Sequence, residues 1–271
     1  MESLPKDLVA ALQTRHDMLT TLCTNSHTKA DLEDILDTSR STVNRGIRTL
    51  QDVNLVTRND GCWQATPLGH YIARTRTQYL DQLSTFEAAA PLFEQFDQGD
   101  LPPDEFFRGA TVYRTETLTP SKVMAQFIDH ATDGHTLRFA TPSDVLGHTR
   151  ELYDQLRERD GYDFELIVPK SLFEPAMEVF PEFTRSLVHD DATGFYQGEV
   201  PFSFAVWIVD DACAGVLMFT DYGIAGLLVS TTSQAVAWAN DQYQSVKDNA
   251  SEIFFRGESS AMTHTGSAIS H

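Results

Sequence analysis

The sequence predicts a two-part α+β protein: helices closed by a hairpin at the N-terminus, then an α/β domain with a mixed sheet. Three observations carry the prediction. Helical periodicity runs from Pro5 to Leu50 and gives way to the hairpin signal Asn59-Asp60-Gly61. From residue 105 onward, short apolar runs alternate with helical patterns. The charge also divides the chain. Residues 1–80 hold nine bases and nine acids, whereas the rest holds 11 bases and 30 acids and so carries the whole net charge of −19. That asymmetry implies different partners for the two parts.

The first part follows element by element. Pro5–Leu12 and His16–Leu22 read as helices, with Leu8, Val9, Leu12, Leu19 and Leu22 as their apolar positions. In "SHTKADLEDILD", Thr28 and Asp31 can form a capping box ahead of a buried stripe of Leu32, Ile35 and Leu36. After the turn Asp37-Thr38-Ser39 comes a two-sided helix. Val43, Gly46, Ile47 and Leu50 share one side, and Ser41, Asn44, Arg45 and Arg48 the other. A glycine inside a helix costs about 1 kcal/mol against alanine, so Gly46 marks a close helix–helix approach. "LVTRNDGCWQATPLG" then gives two short strands, after which Thr66 caps a helix opened by Pro67.

Helix, helix, turn, helix and hairpin make a winged helix-turn-helix over residues 1–69. In that arrangement the second motif helix enters the major groove, where Asn44, Arg45 and Arg48 can reach base edges. Hydroxyls and backbone amides at its N-terminus suit phosphates, and Arg58 on the hairpin suits the backbone or minor groove. Double-stranded promoter DNA is the expected partner. The alternative is a protein-interaction module whose winged helix docks a protein without binding DNA. His27, Lys29 and Asp34 also spell H-x-K-x4-D, the phospholipase D signature. They straddle the entry and body of a helix whose apolar stripe is accounted for, and no second copy completes a site, so chance explains the match.

Residues 70–104 read as a connecting helix and linker. His70–Phe96 is helical and serves as a dimer element or as a cap on its own domain, and "DQGDLPPDEF" is the linker. The α/β effector and dimerisation domain spans 105–254. Its predicted strands are 110–116, 136–141, 162–169, 202–210, 213–220 and 223–230, the last three an antiparallel meander. Its predicted helices are Ser121–Ala131, Asp144–Arg159, Ser171–Val179 and Gln234–Ile253, and 255–271 is a disordered tail. "FATPSDVL" and "LIVPKSLF" each end a buried strand, turn at proline and enter a helix. Strand ends and helix N-termini gather anions, so Thr141, Ser143, Lys170 and Ser171 are candidates for an anionic small-molecule site. Ordinary helix capping is the other reading of these residues.

Composition excludes several classes. The most apolar stretch, "FAVWIVDDACAGVLMF", is cut by Asp210 and Asp211, which rules it out as a membrane span. The N-terminus lacks a signal peptide, and Cys23, Cys62 and Cys213 are an unpaired set of thiols suited to a cytoplasmic protein. No metal site, cofactor motif or enzyme constellation stands out, and Asp210 and Asp211 read as turn chemistry. Fifteen arginines and five lysines against 39 acids make a lysine-poor, acidic surface, as expected of a protein kept soluble in high salt.

Over residues 20–70, "SRSTVNRGIRTLQDVNLVTRNDGCWQATPLG" resembles the haloarchaeal winged-helix transcriptional regulators related to the TrmB group, of the TbsP type. The shared features are S-R-S-T-V, an arginine, an I-x-x-L stripe, a wing and T-x-x-G. More loosely, the C-terminal part resembles the phospholipase-D-like, non-catalytic effector domain of such archaeal regulators. The resemblance implies a homodimeric transcription factor sensing a metabolite such as a sugar or sugar phosphate. It places DNA contacts at Arg40, Ser41, Thr42, Asn44, Arg45 and Arg48.

Overall fold

A computed structural model describes residues 6–94, 101–143, 146–159, 161–220 and 223–253. Two units divide the chain, Met1–Glu87 and Ala88–His271.

The first unit opens with α1 (Lys6–Thr24), which breaks at Arg15 (φ −135°, ψ 18°), between the two helices the sequence predicts. The capping box then forms as expected. Thr28 accepts from the Asp31 N–H, and Asp31 accepts from the Thr28 N–H, starting α2 (Lys29–Ile35). These hydrogen bonds, the Thr28 N–H foremost, hold the Asp31 carboxyl below its ordinary range. The predicted stripe is corrected at one position. Leu32 is buried and Leu36 packs on the same core, but Ile35 is 53% exposed, because Leu32 and Leu36, four residues apart, already fill the inward row of this short helix.

Ser39 caps α3 (Arg40–Asp52), whose buried residues are Val43, Gly46, Ile47 and Leu50. α1 approaches closely at Gly46: a Cβ there would stand 2.6 Å from Cε of Met18, a flexible side chain that would have to shift. Strands β1 (Val56–Asn59) and β2 (Cys62–Ala65) pair antiparallel across Asp60 and Gly61, both at positive φ (47° and 86°), as a tight type I′ hairpin demands. Trp63 of β2 also exchanges both backbone hydrogen bonds with His27 (2.9 and 2.7 Å), tying the entry of α2 to the wing. Thr66 accepts from the Gly69 N–H and donates to the Asn54 carbonyl, setting the start of α4 (Pro67–Phe93). The division between units falls inside α4.

The second unit is built on β3 (Thr111–Arg114), β4 (Thr136–Ala140), β5 (Asp163–Val168), β6 (Thr193–Gln197), β7 (Ala205–Val209), β8 (Cys213–Thr220), β9 (Gly223–Ser230) and β10 (Ser251–Glu252). They form one mixed sheet in the order β10-β6-β5-β4-β7-β8-β9-β3. Strands β4, β5 and β6 run parallel, and β7-β8-β9 is the predicted antiparallel meander. Helices α5 (Pro120–Ala131), α6 (Leu146–Arg157) and α8 (Pro181–Val188) share one core with the sheet, around Phe127, Phe139, Leu152, Leu187 and Trp207. Short α7 (Lys170–Val179) packs on α8. Helix α9 (Ser233–Lys247) covers β4, β7 and β8, and β7 is buried at every residue.

Three expectations are corrected here. The end of the predicted linker is anchored: Phe106 and Phe107 are buried, and Phe106 meets Trp238 edge-on at 5.2 Å. The final helix stops at Lys247, because Asp248-Asn249-Ala250 turns and the open edge of β6 takes up Ser251–Glu252. Finally, α8, β6 and β10 stand beyond the predicted elements. Residues 97–100 of the linker, Asp144 and the tail lie outside the described residues.

Candidate nucleic-acid interface

Helix α3 separates its two sides as its periodicity requires. Opposite the buried row, Arg40, Ser41, Asn44, Arg45 and Arg48 are exposed, and Arg58 is exposed on β1. Thr42 is half-buried. Among the described residues, Arg40, Arg45, Arg48 and Arg58 make no ion pair, so their charges are not committed inside the fold. Asp37 just before α3, Asp52 at its end and Asp60 at the hairpin tip are the exposed acids nearest in sequence.

The start of α3 is organised around Ser39. Its hydroxyl accepts from the Thr42 N–H and lies 3.0 Å from the hydroxyls of both Ser41 and Thr42. A ring of hydroxyls therefore surrounds a helix N-terminus, where free amides and the helix dipole favour an anion. Ser39 was absent from the expected contacts, although serine three residues before Thr42 is a cap signal.

Lys29 was also absent. As the first residue of α2 it reaches α3, where its Nζ donates to Asn44 Oδ1 at 2.5 Å, and it stands 5.8 Å from the centre of the Trp63 ring. The H-x-K-x4-D residues thus have places in this unit. His27 pairs its backbone with β2, Lys29 binds Asn44, and Asp34 is exposed on α2.

The four expected effector residues sit at the carboxyl ends of neighbouring parallel strands β4 and β5. Thr141 is 2% exposed, its hydroxyl donates to the Ser143 carbonyl, and its N–H donates to the Ile167 carbonyl. Its side chain is therefore spent on the local turn. Ser143 is half-buried, while Lys170 and Ser171 are exposed at the start of α7. Lys170 lies 3.6 Å from Glu174, and α7 has Pro169 at its cap with no side-chain hydrogen bond.

A polar cavity of about 300 Å³ opens at the other end of the same strands, lined by Arg138, Glu165, Asp211, Tyr243 and Lys247 among others. Glu165 accepts from the Tyr243 hydroxyl (2.7 Å) and from Lys247 (2.5 Å), and Arg138 pairs with Asp211. Burial first, then the neighbouring Glu165, pushes the Tyr243 hydroxyl far above its usual range. For Lys247, burial opposes the charge, but the contact with Glu165 outweighs it and raises the pKa. The readable signal was Tyr243 and Lys247 four residues apart on one face of α9.

No curated protein matches the chain. Among solved structures, TrmBL2, an archaeal chromatin protein, is 11% identical over 92% of this chain and 100% of its own, with a TM-score of 0.42. NucT from Helicobacter pylori is 11% identical over 53% of this chain and 98% of its own (TM-score 0.42). Nuc from Salmonella typhimurium, a phospholipase D family member, is 11% identical over 54% and 99% (TM-score 0.41). These likenesses are too distant to carry an argument about activity. Two family models divide most of the chain between them: the HVO_A0261 N-terminal domain matches residues 6–88, and the middle domain of the methanogenesis regulatory protein FilR1 matches residues 120–249.

Proposed function

We propose that this chain is a sequence-specific transcriptional regulator that binds double-stranded promoter DNA as a homodimer through α3 and the β1–β2 wing. One observation carries the reading: Asn44, Arg45 and Arg48 face solvent on a helix whose opposite side is fully buried, and no ion pair among the described residues engages the arginines. Such a row fits a major groove, where arginine pairs with guanine and asparagine with adenine or other base edges. Arg40, Ser41 and Thr42 at the helix start and Arg58 on the wing supply phosphate contacts that fix register. The match of residues 120–249 to part of a regulatory protein supports the same assignment.

The deciding experiment is a gel-shift and footprint of the full chain on promoter fragments. Arg45→Ala should weaken binding by about 1–3 kcal/mol and relax the base preference at one position, whereas Arg58→Ala should lower the salt slope by about 0.9 per copy. Unchanged binding by Arg45→Ala removes α3 from the interface. Protection of two half-sites about one helical turn apart supports the dimer. No protection at any promoter favours the protein-docking alternative.

A further inference from the structure

The contact between Lys29 and Asn44 bears on which base α3 selects. A carboxamide has an acceptor end and a donor end, and reading adenine uses both: the oxygen accepts from N6 and the nitrogen donates to N7. Here Oδ1 of Asn44 faces the Lys29 ammonium at 2.5 Å. The ammonium takes one of that oxygen's two lone pairs and puts a positive charge beside it, which disfavours the approach of adenine's N6 donor and leaves the NH2 end with both its donors. An Nζ donor can only be met by the oxygen, so the NH2 end is turned away from Lys29.

Lys29 is itself held in place. It is the first residue of α2, directly after the Thr28 cap. Its ammonium stands against the Trp63 ring. Through His27, the backbone just before it is bridged to Trp63. The capping box, the bridge and the indole therefore fix one donor beside one amide.

We propose that Lys29 is a specificity-determining positioning residue. By holding Asn44 through its oxygen and placing a cation beside it, Lys29 makes Asn44 a donor that selects an acceptor edge, guanine O6/N7 or thymine O4, over adenine. The inference rests on the DNA-binding reading above and sharpens it at one position of the operator.

Selection from a random duplex library with the full-length protein tests it, comparing wild type, Asn44→Ala, Lys29→Met and Lys29→Arg. In the wild type, one position per half-site should favour guanine or thymine over adenine by about fivefold or more, the lower end of what a base contact supplies. Asn44→Ala should flatten that position alone. Lys29→Met keeps the length of the side chain but has no donor, and should admit adenine there to near parity. Lys29→Arg keeps a donor and should restore the preference, which a merely structural role for Lys29 does not predict. Adenine at the Asn44-dependent position in the wild type overturns the inference, as does an unchanged preference in Lys29→Met. If Lys29→Met does not fold, Lys29→Ala, which also lacks a donor, takes its place with the same expectation. Absence of any enriched sequence in the wild type defeats the DNA-binding reading itself and this inference with it.

Discussion

Gly215 of β8 lies directly across from Trp207 of β7, and replacing it with alanine tests how the sheet is packed. A Cβ at Gly215 would stand 2.1 Å from Cε2 and Cζ2 of the indole and 2.5 Å from its Nε1. Carbon atoms rest at about 3.5–4.0 Å, so the ring must retreat by more than roughly 1 Å. It has little room to do so. Trp207 is fully buried, with Phe127 edge-on at 5.6 Å and His130 stacked at 6.3 Å. Overpacking costs about 1–3 kcal/mol, and a rigid ring puts this clash near the top of that range. Replacing a strand glycine with alanine returns about 0.5–1 kcal/mol. The expected net loss is therefore about 2 kcal/mol. In a Trp63→Phe background, fluorescence during urea unfolding reports only Trp207 and Trp238, both in the second unit. Adding Trp207→Phe, with a smaller ring, should reduce the cost of Gly215→Ala to about 0.5 kcal/mol, a coupling of about 1.5 kcal/mol. Equal costs in the two backgrounds, or a neutral Gly215→Ala, would refute the clash as the reason for glycine.

Two further predictions concern the second unit. Asp210 sits in the β7–β8 turn at positive φ (49°), and its carboxylate accepts from the N–H groups of Thr136 and His135. The Thr136 N–H above all, with partial burial opposing it, holds this carboxyl below its ordinary range. A depressed folded pKa contributes stability that is present above the unfolded value of about 3.9 and is lost as pH falls through the folded one. Asp210→Asn tolerates the backbone but cannot titrate. Its urea midpoint should fall less between pH 5 and pH 2.5 than the wild type's, and parallel acid profiles would remove Asp210 as a source of acid sensitivity. The second prediction concerns sensing. A sugar phosphate should raise the melting temperature of the wild type by several degrees, and Lys170→Ala should reduce that shift by half or more. A flat response across anionic metabolites leaves the carboxyl ends of β4 and β5 with a structural role only.

What the sequence made legible was what periodicity and local chemistry encode. The sides of α3 follow from 3.6-residue spacing. The capping box at Thr28 and Asp31 and the Asp60-Gly61 hairpin follow from side-chain and backbone preferences of a few adjacent residues. What stayed hidden depends on contacts across the chain. The bond between Lys29 and Asn44 joins residues 15 apart, and that between Tyr243 and Glu165 joins residues 78 apart. Neither can be read from a local window. Ile35 misled because the buried row of so short a helix is Leu32 and, four residues on, Leu36, which leaves Ile35 beside it on the exposed side. Strand β6, five residues with a glycine inside, is too short and weakly patterned to announce itself without the parallel neighbour β5.

The sheet of the second unit ends on both sides in very short strands: β10 has two residues and β3 has four. Thirty-nine acidic side chains would ordinarily keep copies of such a chain apart by mutual repulsion. At molar salt that repulsion vanishes beyond about 3 Å, the Debye length there. Resistance to edge-to-edge stacking then has to come from geometry instead of charge. Two- and four-residue borders give an approaching strand little to add to, so the fold carries a protection against fibre growth that no ionic strength can screen.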